Sequence, residues 1–388
     1  MYRMLTGFVF FWILVFMLSG CAGNGYENME GSEHYHVDEI LTGLEHPWGI
    51  VFLPGDDNLA LLTERPGRLS LVDIDQREKT GISGIPEVAA TGQGGLLDVA
   101  VHPEFEDNRL VYLSYAAEGD ESGRYATHVA RGRIDLENNR LSDVEVLLVA
   151  EPFSSSNAHF GSRLVFDAEN RLYVTSGDRR DRYSAQELES LHGKTLRIKD
   201  DGSIPSDNPF ADSQDAHPAI FSFGHRNAQG MTRHPETGEI WQNEHGEYGG
   251  DEINILEPGA NFGWPVATYS REYTDQSDIG VLPPEHAETV NPVYPWAESD
   301  GCPPSGMAFY QGEAFEKWEG DLFVGALRDR YLARFEVNGR ELLKAERLLE
   351  NRDWRIRDVR VNPADGLIYI LVDDPDAPFV RISPDPIE

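Results

Sequence analysis

Three scarcities bound this chain of 388 residues before any motif is read. It has two cysteines, Cys21 and Cys302, so no framework of disulfides holds the fold and packing must do so. It is poor in basic residues: 33 Lys and Arg stand against 67 Asp and Glu, a formal charge of -34. A polyanion of that size repels nucleic acid phosphates and anionic lipid headgroups, which excludes both as ligands and makes any cluster of arginines a local exception. Long apolar runs are also scarce. Phe8 to Leu18 is unbroken, but it is too short for a comfortable membrane span and has the length of a signal-peptide core.

What surrounds that run reads as an address. Arg3 gives a thin positive start, and Leu18-Ser19-Gly20-Cys21 resembles the bacterial lipobox, in which the cysteine is lipidated and becomes the new N-terminus. The sequence therefore predicts a lipoprotein signal peptide at 1–20, a flexible tether at 21–36 that is small, polar and Gly-rich, and one folded unit at 37–388. The protein is expected to be exported, to face the periplasm, and to be held to a bacterial membrane, the outer one by preference, through lipid on Cys21. With Cys21 acylated, Cys302 has no intrachain partner and reads as a small buried thiol.

The body repeats itself. Six times an alternating apolar segment meets a Pro/Gly/Asp/Asn turn and returns as a second apolar strand: WGIVFLPGDDNLALLTE, GGLLDVAVHPEFEDNRLVYLSYA, GSRLVFDAENRLYVTSGD, QGMTRHPETGEIWQNEHG, SGMAFYQGEAFEKWEGDLFVGAL and IRDVRVNPADGLIYILVDD. Segments such as GRLSLVDI, HVARGRIDL and RYLARFEVNG supply further strands. A β-sandwich would explain the strands but not why one template recurs from Trp48 to Asp374. The expectation is all-β: a six-bladed β-propeller of four-stranded antiparallel blades. Such a ring delivers loops from every innermost strand to one axial pocket. Gln93 precedes the second copy, His159 the third, and Arg226 and Asn227 the fourth, while Arg355 and Arg357 open the sixth.

The most informative strings are GHRNAQGM at Gly224 to Met231 and EHGEYGGDEIN at Glu244 to Asn254. They set Arg226 and Asn227 ahead of a Gly-rich acidic loop whose carbonyls and carboxylates suit a hard cation, pointing to an anionic, metal-bound small cofactor. By itself the acidic run Glu247, Asp251 and Glu252 equally reads as a charged turn. His159 alone reads as an ordinary surface or core histidine, and Arg355 and Arg357 as one face of a strand.

Together with GQGGLLDVAVHPEF, AHFGSRLVFD, LYVTSGD, LHGKTLRI, DGSIPSDNP, FGHRNAQGM, GGDEINI, NFGWP, PSGMAFY, LFVGAL and RIRDVR, these strings resemble the soluble pyrroloquinoline quinone (PQQ)-dependent glucose and aldose sugar dehydrogenases, over about Leu44 to Val380. The likeness is greater to the broad-specificity aldose sugar dehydrogenases. It implies a six-bladed propeller that oxidises the anomeric hydroxyl of aldoses to lactones, with PQQ and Ca2+ as cofactors and an external electron acceptor, a quinone or cytochrome. It makes His159 the catalytic base, Asp178 the carboxylate that orients it, and Arg226 a cofactor contact that also polarises the quinone. Asn227, Arg328, Arg355 and Arg357 correspond to further cofactor contacts, and Gln93 lies between cofactor and sugar. Gly246 and Glu247 correspond to the two residues whose carbonyls bind calcium.

Departures from the glucose enzyme concern specificity. Ala158 stands for an aspartate, Arg328 for a lysine and Glu247 for a proline. At a second calcium site, Ala267 and Tyr269 offer carbonyls but Arg271 stands where an acidic residue is expected. Trp296 suits either ring stacking in the site or packing. Two other functions are compatible with a propeller: a calcium-dependent hydrolase or lactonase, which needs carboxylates around its metal, and a non-catalytic lipid-anchored binding platform.

Overall fold

The apolar alternation of the repeats has a simple spatial meaning, because in a strand successive side chains point to opposite faces of the sheet. In the computed structural model, which describes residues 34–296 and 301–385, six four-stranded antiparallel sheets are arranged as blades. Blade 1 spans 47–82, blade 2 96–149, blade 3 164–223, blade 4 228–295 and blade 5 304–348. Blade 6 takes three strands from 356–384 and its outermost from Tyr35–Leu44. Each quoted repeat supplies the first two strands of a blade, as expected. The only α-helix among the described residues is the four-residue Phe105–Asn108, so the fold is all-β.

Both faces of a blade are buried against neighbours. Leu61 packs toward blade 2, whereas Ala60 and Leu62 pack toward blade 6; Ile368 and Ile370 face blade 5, whereas Tyr369 and Leu371 face blade 1. A separate apolar cluster fills each of the six interfaces between successive blades. The ring closes through the strand Tyr35–Leu44, which pairs antiparallel with Ala377–Pro384 (Val37 opposite Ile382, Glu39 opposite Val380). That strand starts at Tyr35, two residues before the expected boundary at 37. The expected signal peptide, Cys21 and most of the tether lie outside the described residues.

The innermost strands are Pro47–Phe52, Leu96–Val101, Leu164–Phe166, Ala228–Arg233, Pro304–Phe309 and Ile356–Val361. Near the start of these strands, Gly49, Asp98, Gly306 and Asp358 meet at the axis with Arg163, the residue just before Leu164. Arg163 Nη1 lies 3.1 Å from Asp98 Oδ1 and 3.1 Å from Asp358 Oδ1, and all three side chains are 0% exposed. Arg360 adds a second cation, its Nε 3.2 Å from Asp358 Oδ2. The carboxylates also accept backbone N–H groups from neighbouring blades, Leu164 at 2.8 Å on Asp98 and Ile50 at 3.3 Å on Asp358. Glycine at 49 and 306 is required by space, since a methyl group there would lie 2.5 Å from Asp98 Oδ1 and 2.1 Å from Asp358 Oδ1.

Removing the central guanidinium leaves two carboxylates in a dry interior with Arg360 as their one remaining cation among the described residues. Arg163→Met is expected to cost roughly 3–5 kcal/mol at pH 7. Burial already raises the Asp98 pKa, and loss of Arg163 raises it further. The penalty is therefore expected to be smaller at pH 5 than at pH 7, because protonation of a carboxyl is favoured as pH falls toward that raised value. Urea melts at the two pH values check this; equal losses at both would refute the charge-based account.

Candidate active site

At the end of the ring where innermost strands begin and second strands finish, a cavity of about 620 Å³ opens on the axis, within the range of small-molecule sites. Gln93, His159, Asp178, Arg226, Gly246, Glu247 and Arg328, all expected from the sequence, line it, with Arg180, Arg182, His245, Asp251 and Tyr273 among the rest. Asn227 and Gln93 line a small adjoining cavity with Trp48 and Gln229. Arg355 and Arg357 form no part of either wall. Both donate to Asp373 Oδ2 at 3.1 Å, on one side of their strand, and Arg357 Nη1 also donates to Gln229 Oε1 at 2.8 Å, which places it just behind the adjoining cavity. Its buried Nε has no hydrogen-bond partner.

His159 is held from three directions. Its backbone takes a left-handed conformation (φ 55°), its N–H donates to Gln93 Oε1 at 2.9 Å, and Nδ1 lies 2.7 Å from Asp178 Oδ1. Asp178 accepts Trp264 Nε1–H at 2.8 Å on its other oxygen and the N–H of Arg180 at 2.8 Å. Burial opposes its charge, but His159, Arg226 and these donors outweigh burial and hold its carboxyl below the ordinary range. An ionised carboxylate only accepts, so Nδ1 carries the proton and Nε2 has the free lone pair. Burial, with Arg226 adding to it, keeps the imidazole below its usual pKa against the opposing pull of Asp178. The loop beneath is riveted by Arg179, which donates to the carbonyls of Ala158 (2.9 Å), Tyr125 (3.0 Å) and Ser156, with its guanidinium 3.7 Å over the Phe160 ring.

Arg226 is positioned by Glu244, whose Oε2 accepts its N–H at 2.5 Å while Oε1 lies 2.7 Å from His225 Nδ1. The Arg226 guanidinium packs 5.3 Å from the Trp264 ring and is paired with Glu247 Oε2 at 3.0 Å. Nothing in the sequence signalled that pairing of two expected site residues. In the acidic loop, Gly246 N–H donates to Asp251 Oδ1 at 2.8 Å and Glu247 N–H to Ser270 Oγ at 3.0 Å. Among the described residues no backbone donor is bonded to the carbonyl of Gly246 or Glu247, so both oxygens are available to a hard cation. Burial pushes the Asp251 carboxyl up to about 6, and the same effect pushes the His245 imidazole down to about 3.

Sequence reading assigned no role to Glu244, His245, Trp264 and Gln229, although all four lie in quoted strings: His245 and Gln229 line the two cavities, and Glu244 and Trp264 hold Arg226 and Asp178 in place. Asp251 was visible only as part of a charged run. Trp296 is settled as packing: it is buried with Trp241, Tyr294 and Phe335 between blades 4 and 5. Cys302 is a buried thiol, as expected, 2.9 Å from the Tyr331 hydroxyl, and burial raises its pKa well above the usual thiol range. Arg271 lies against the Tyr248 ring at 5.6 Å. Among the described residues no group of three or more His, Cys, Asp or Glu is disposed to hold a metal.

Fold and site together define a propeller enzyme whose axial cavity sets a buried His–Asp pair opposite arginines. Residues 44–381 match the family described as Glucose / Sorbosone dehydrogenase, and the chain belongs to that oxidoreductase family. It is 40% identical over 354 residues to the aldose sugar dehydrogenase YliI of Escherichia coli (strain K12), covering 90% of this chain and 93% of that protein. The apo-form of the soluble aldose sugar dehydrogenase from Escherichia coli superimposes with a TM-score of 0.84 at 39% identity, over 90% of this chain and 100% of the other. The PQQ-bound form of an aldose sugar dehydrogenase from Streptomyces coelicolor does so at 0.74 and 26% identity, over 91% and 99%.

The buried imidazole gives a direct test. The His159 midpoint, followed by NMR of ring-labelled protein, is expected below 6.5, and Asp178→Asn is expected to lower it further because the group that favours the imidazolium is gone. A rise in the variant would contradict the assigned pairing.

Proposed function

We propose that this chain oxidises the anomeric hydroxyl of aldose sugars to lactones, using PQQ and Ca2+ held in the axial cavity and passing electrons to an external quinone or cytochrome. The observation that carries this reading is the His159–Asp178 pair opening onto the same cavity as Arg226 and Arg328. The donor set suits a flat tricarboxylate. Arg226, Arg328 and Asn227 face the two cavities, and Arg357 stands behind Gln229 with an unpartnered buried Nε. Arg355 shares its counter-ion. Arg226 already carries Glu247, so loading exchanges one anion for another at that guanidinium. The carbonyls of Gly246 and Glu247 would hold calcium, with their N–H groups fixed by Asp251 and Ser270.

When bound, the quinone supplies a two-electron acceptor for the hydride that leaves C1. The protein's own part is the proton. His159 Nε2 removes it from the C1 hydroxyl, Asp178 stabilises the imidazolium and fixes the tautomer, and the cavity mouth returns the proton to solvent. Loss of hydride from C1 and of a proton from its hydroxyl converts the hemiacetal to a lactone. A depressed imidazole pKa keeps the base neutral into mildly acidic pH, so the acid limb of kcat/KM is expected below 6.5.

His159→Ala is expected to abolish dye-linked aldose oxidation while PQQ binding, read by absorbance titration, persists; unchanged turnover would remove the base. Arg355→Ala, at a side chain 39% exposed, is expected to weaken PQQ loading, and normal loading would take that residue out of the site. Export with lipid at Cys21 is proposed from the LSGC string. Cys21→Ser is expected to move the protein from the membrane fraction to the soluble periplasmic one, and retention in the membrane would count against the anchor.

A further inference from the structure

The cavity wall carries four arginines, and three of them are already engaged. Arg226 pairs with Glu247 at 3.0 Å, Arg182 with Glu272 at 2.5 Å, and Arg328 donates to Asp329 at 3.2 Å and to the Gly301 carbonyl. Arg180 is different. Its backbone is pinned in a left-handed conformation (φ 62°) by its N–H bond to Asp178 Oδ1, the same oxygen that meets His159 Nδ1. Its guanidinium, however, has no ion pair or hydrogen bond among the described residues, although it lines the cavity and its charge is felt at His159. Among the four arginines of this wall it alone has neither a carboxylate nor a carbonyl partner.

The carboxylates on the same wall are all committed: Asp178 to His159 and Trp264, Glu247 to Arg226, Asp251 to the N–H groups of Gly246 and Cys302. The residue before the base, Ala158, is apolar and buried. Arg180 is exposed at the rim, whereas Arg226 and Asn227 are buried at the deep end. A sugar with C1 at His159 and its far carbon toward the mouth would bring that carbon to Arg180, which lines the same cavity.

We propose that Arg180 binds an acidic group on the substrate, so that the preferred aldoses carry a carboxylate or phosphate ester on the carbon farthest from C1. This rests on the aldose dehydrogenase reading and narrows its substrate class. A guanidinium fork matches either oxyacid, and a charge-assisted hydrogen bond discriminates on the order of tenfold.

The test compares kcat/KM of PQQ- and calcium-loaded enzyme for glucose, glucuronate and glucose 6-phosphate in wild type, Arg180→Gln and Arg180→Lys. An acid-to-neutral ratio of about ten or more is expected for at least one acid, the pair of acids distinguishing carboxylate from phosphate ester. Arg180→Gln should collapse that ratio, and Arg180→Lys should restore part of it. A ratio near one in wild type, or one that Arg180→Gln leaves unmoved while PQQ affinity falls, overturns the proposal. If no sugar is oxidised at all, the dehydrogenase reading fails separately. Calorimetry of glucuronate and glucose 6-phosphate binding to wild type and Arg180→Gln then decides on Arg180: binding lost in the variant supports it, and no difference overturns it.

Discussion

The ring depends on the ionic knot at its axis. Asp98 of blade 2, Arg163 of blade 3 and Asp358 of blade 6 come together from innermost strands with 0% exposure, and Arg360 supplies the second cation that balances the two carboxylates. Buried charges in a low-dielectric interior tolerate little error in placement, because each loses hydration that only a correctly placed partner replaces. Blades 1 and 5 contribute glycines whose missing side chains leave room for the carboxylates. Apolar interfaces hold successive blades together, but they are non-directional. The knot specifies how inner strands from opposite sides of the ring sit relative to one another.

That placement is what makes the active site possible. Just beyond the knot, five of the innermost strands have a register irregularity near their first residues, at Pro47/Ile50, Leu96/Val99, Ala228/Gly230, Pro304/Met307 and Ile356/Asp358. A bulge there re-aims side chains at the mouth of the ring. His159, Asn227 and Gln93 are bonded directly or through one neighbour across blades 2, 3 and 4, as in the His159 N–H to Gln93 bond and the Gly161 N–H to Asn227 Oδ1 bond at 3.2 Å. His159 and the cationic wall are therefore set by the same inner strands that the knot fixes.

The blades were legible in the sequence because both faces of each sheet are buried, which forces alternating apolar residues between turn signals in every copy. The closing strand Tyr35–Leu44 was less so: it lies on the outer edge of its blade, and with few fully buried side chains it carries little pattern. His159, Asp178 and Arg226 were readable through their surrounding strings. The Arg163 knot was not, since Asp98, Arg163 and Asp358 are separated by long stretches of chain and look ordinary one at a time. The Glu247–Arg226 pair was hidden for another reason. Backbone carbonyls leave no side-chain signature, so attention to the loop as a cation site gave no account of where its carboxylate would go.

The pairing of the first described strand with the last has a consequence for biogenesis. A ribosome making this chain releases five blades before the material that completes the sixth exists, and the earliest strand must wait for the latest. Until that partner arrives, the interface between blades 6 and 1 is unsealed and Asp358 has not reached Arg163. The contact between Arg163 and Asp358 at the axis is thus a property of the finished circle alone, whereas every residue lining the cavity, from Gln93 to Arg328, is made before the inner strand of the sixth blade.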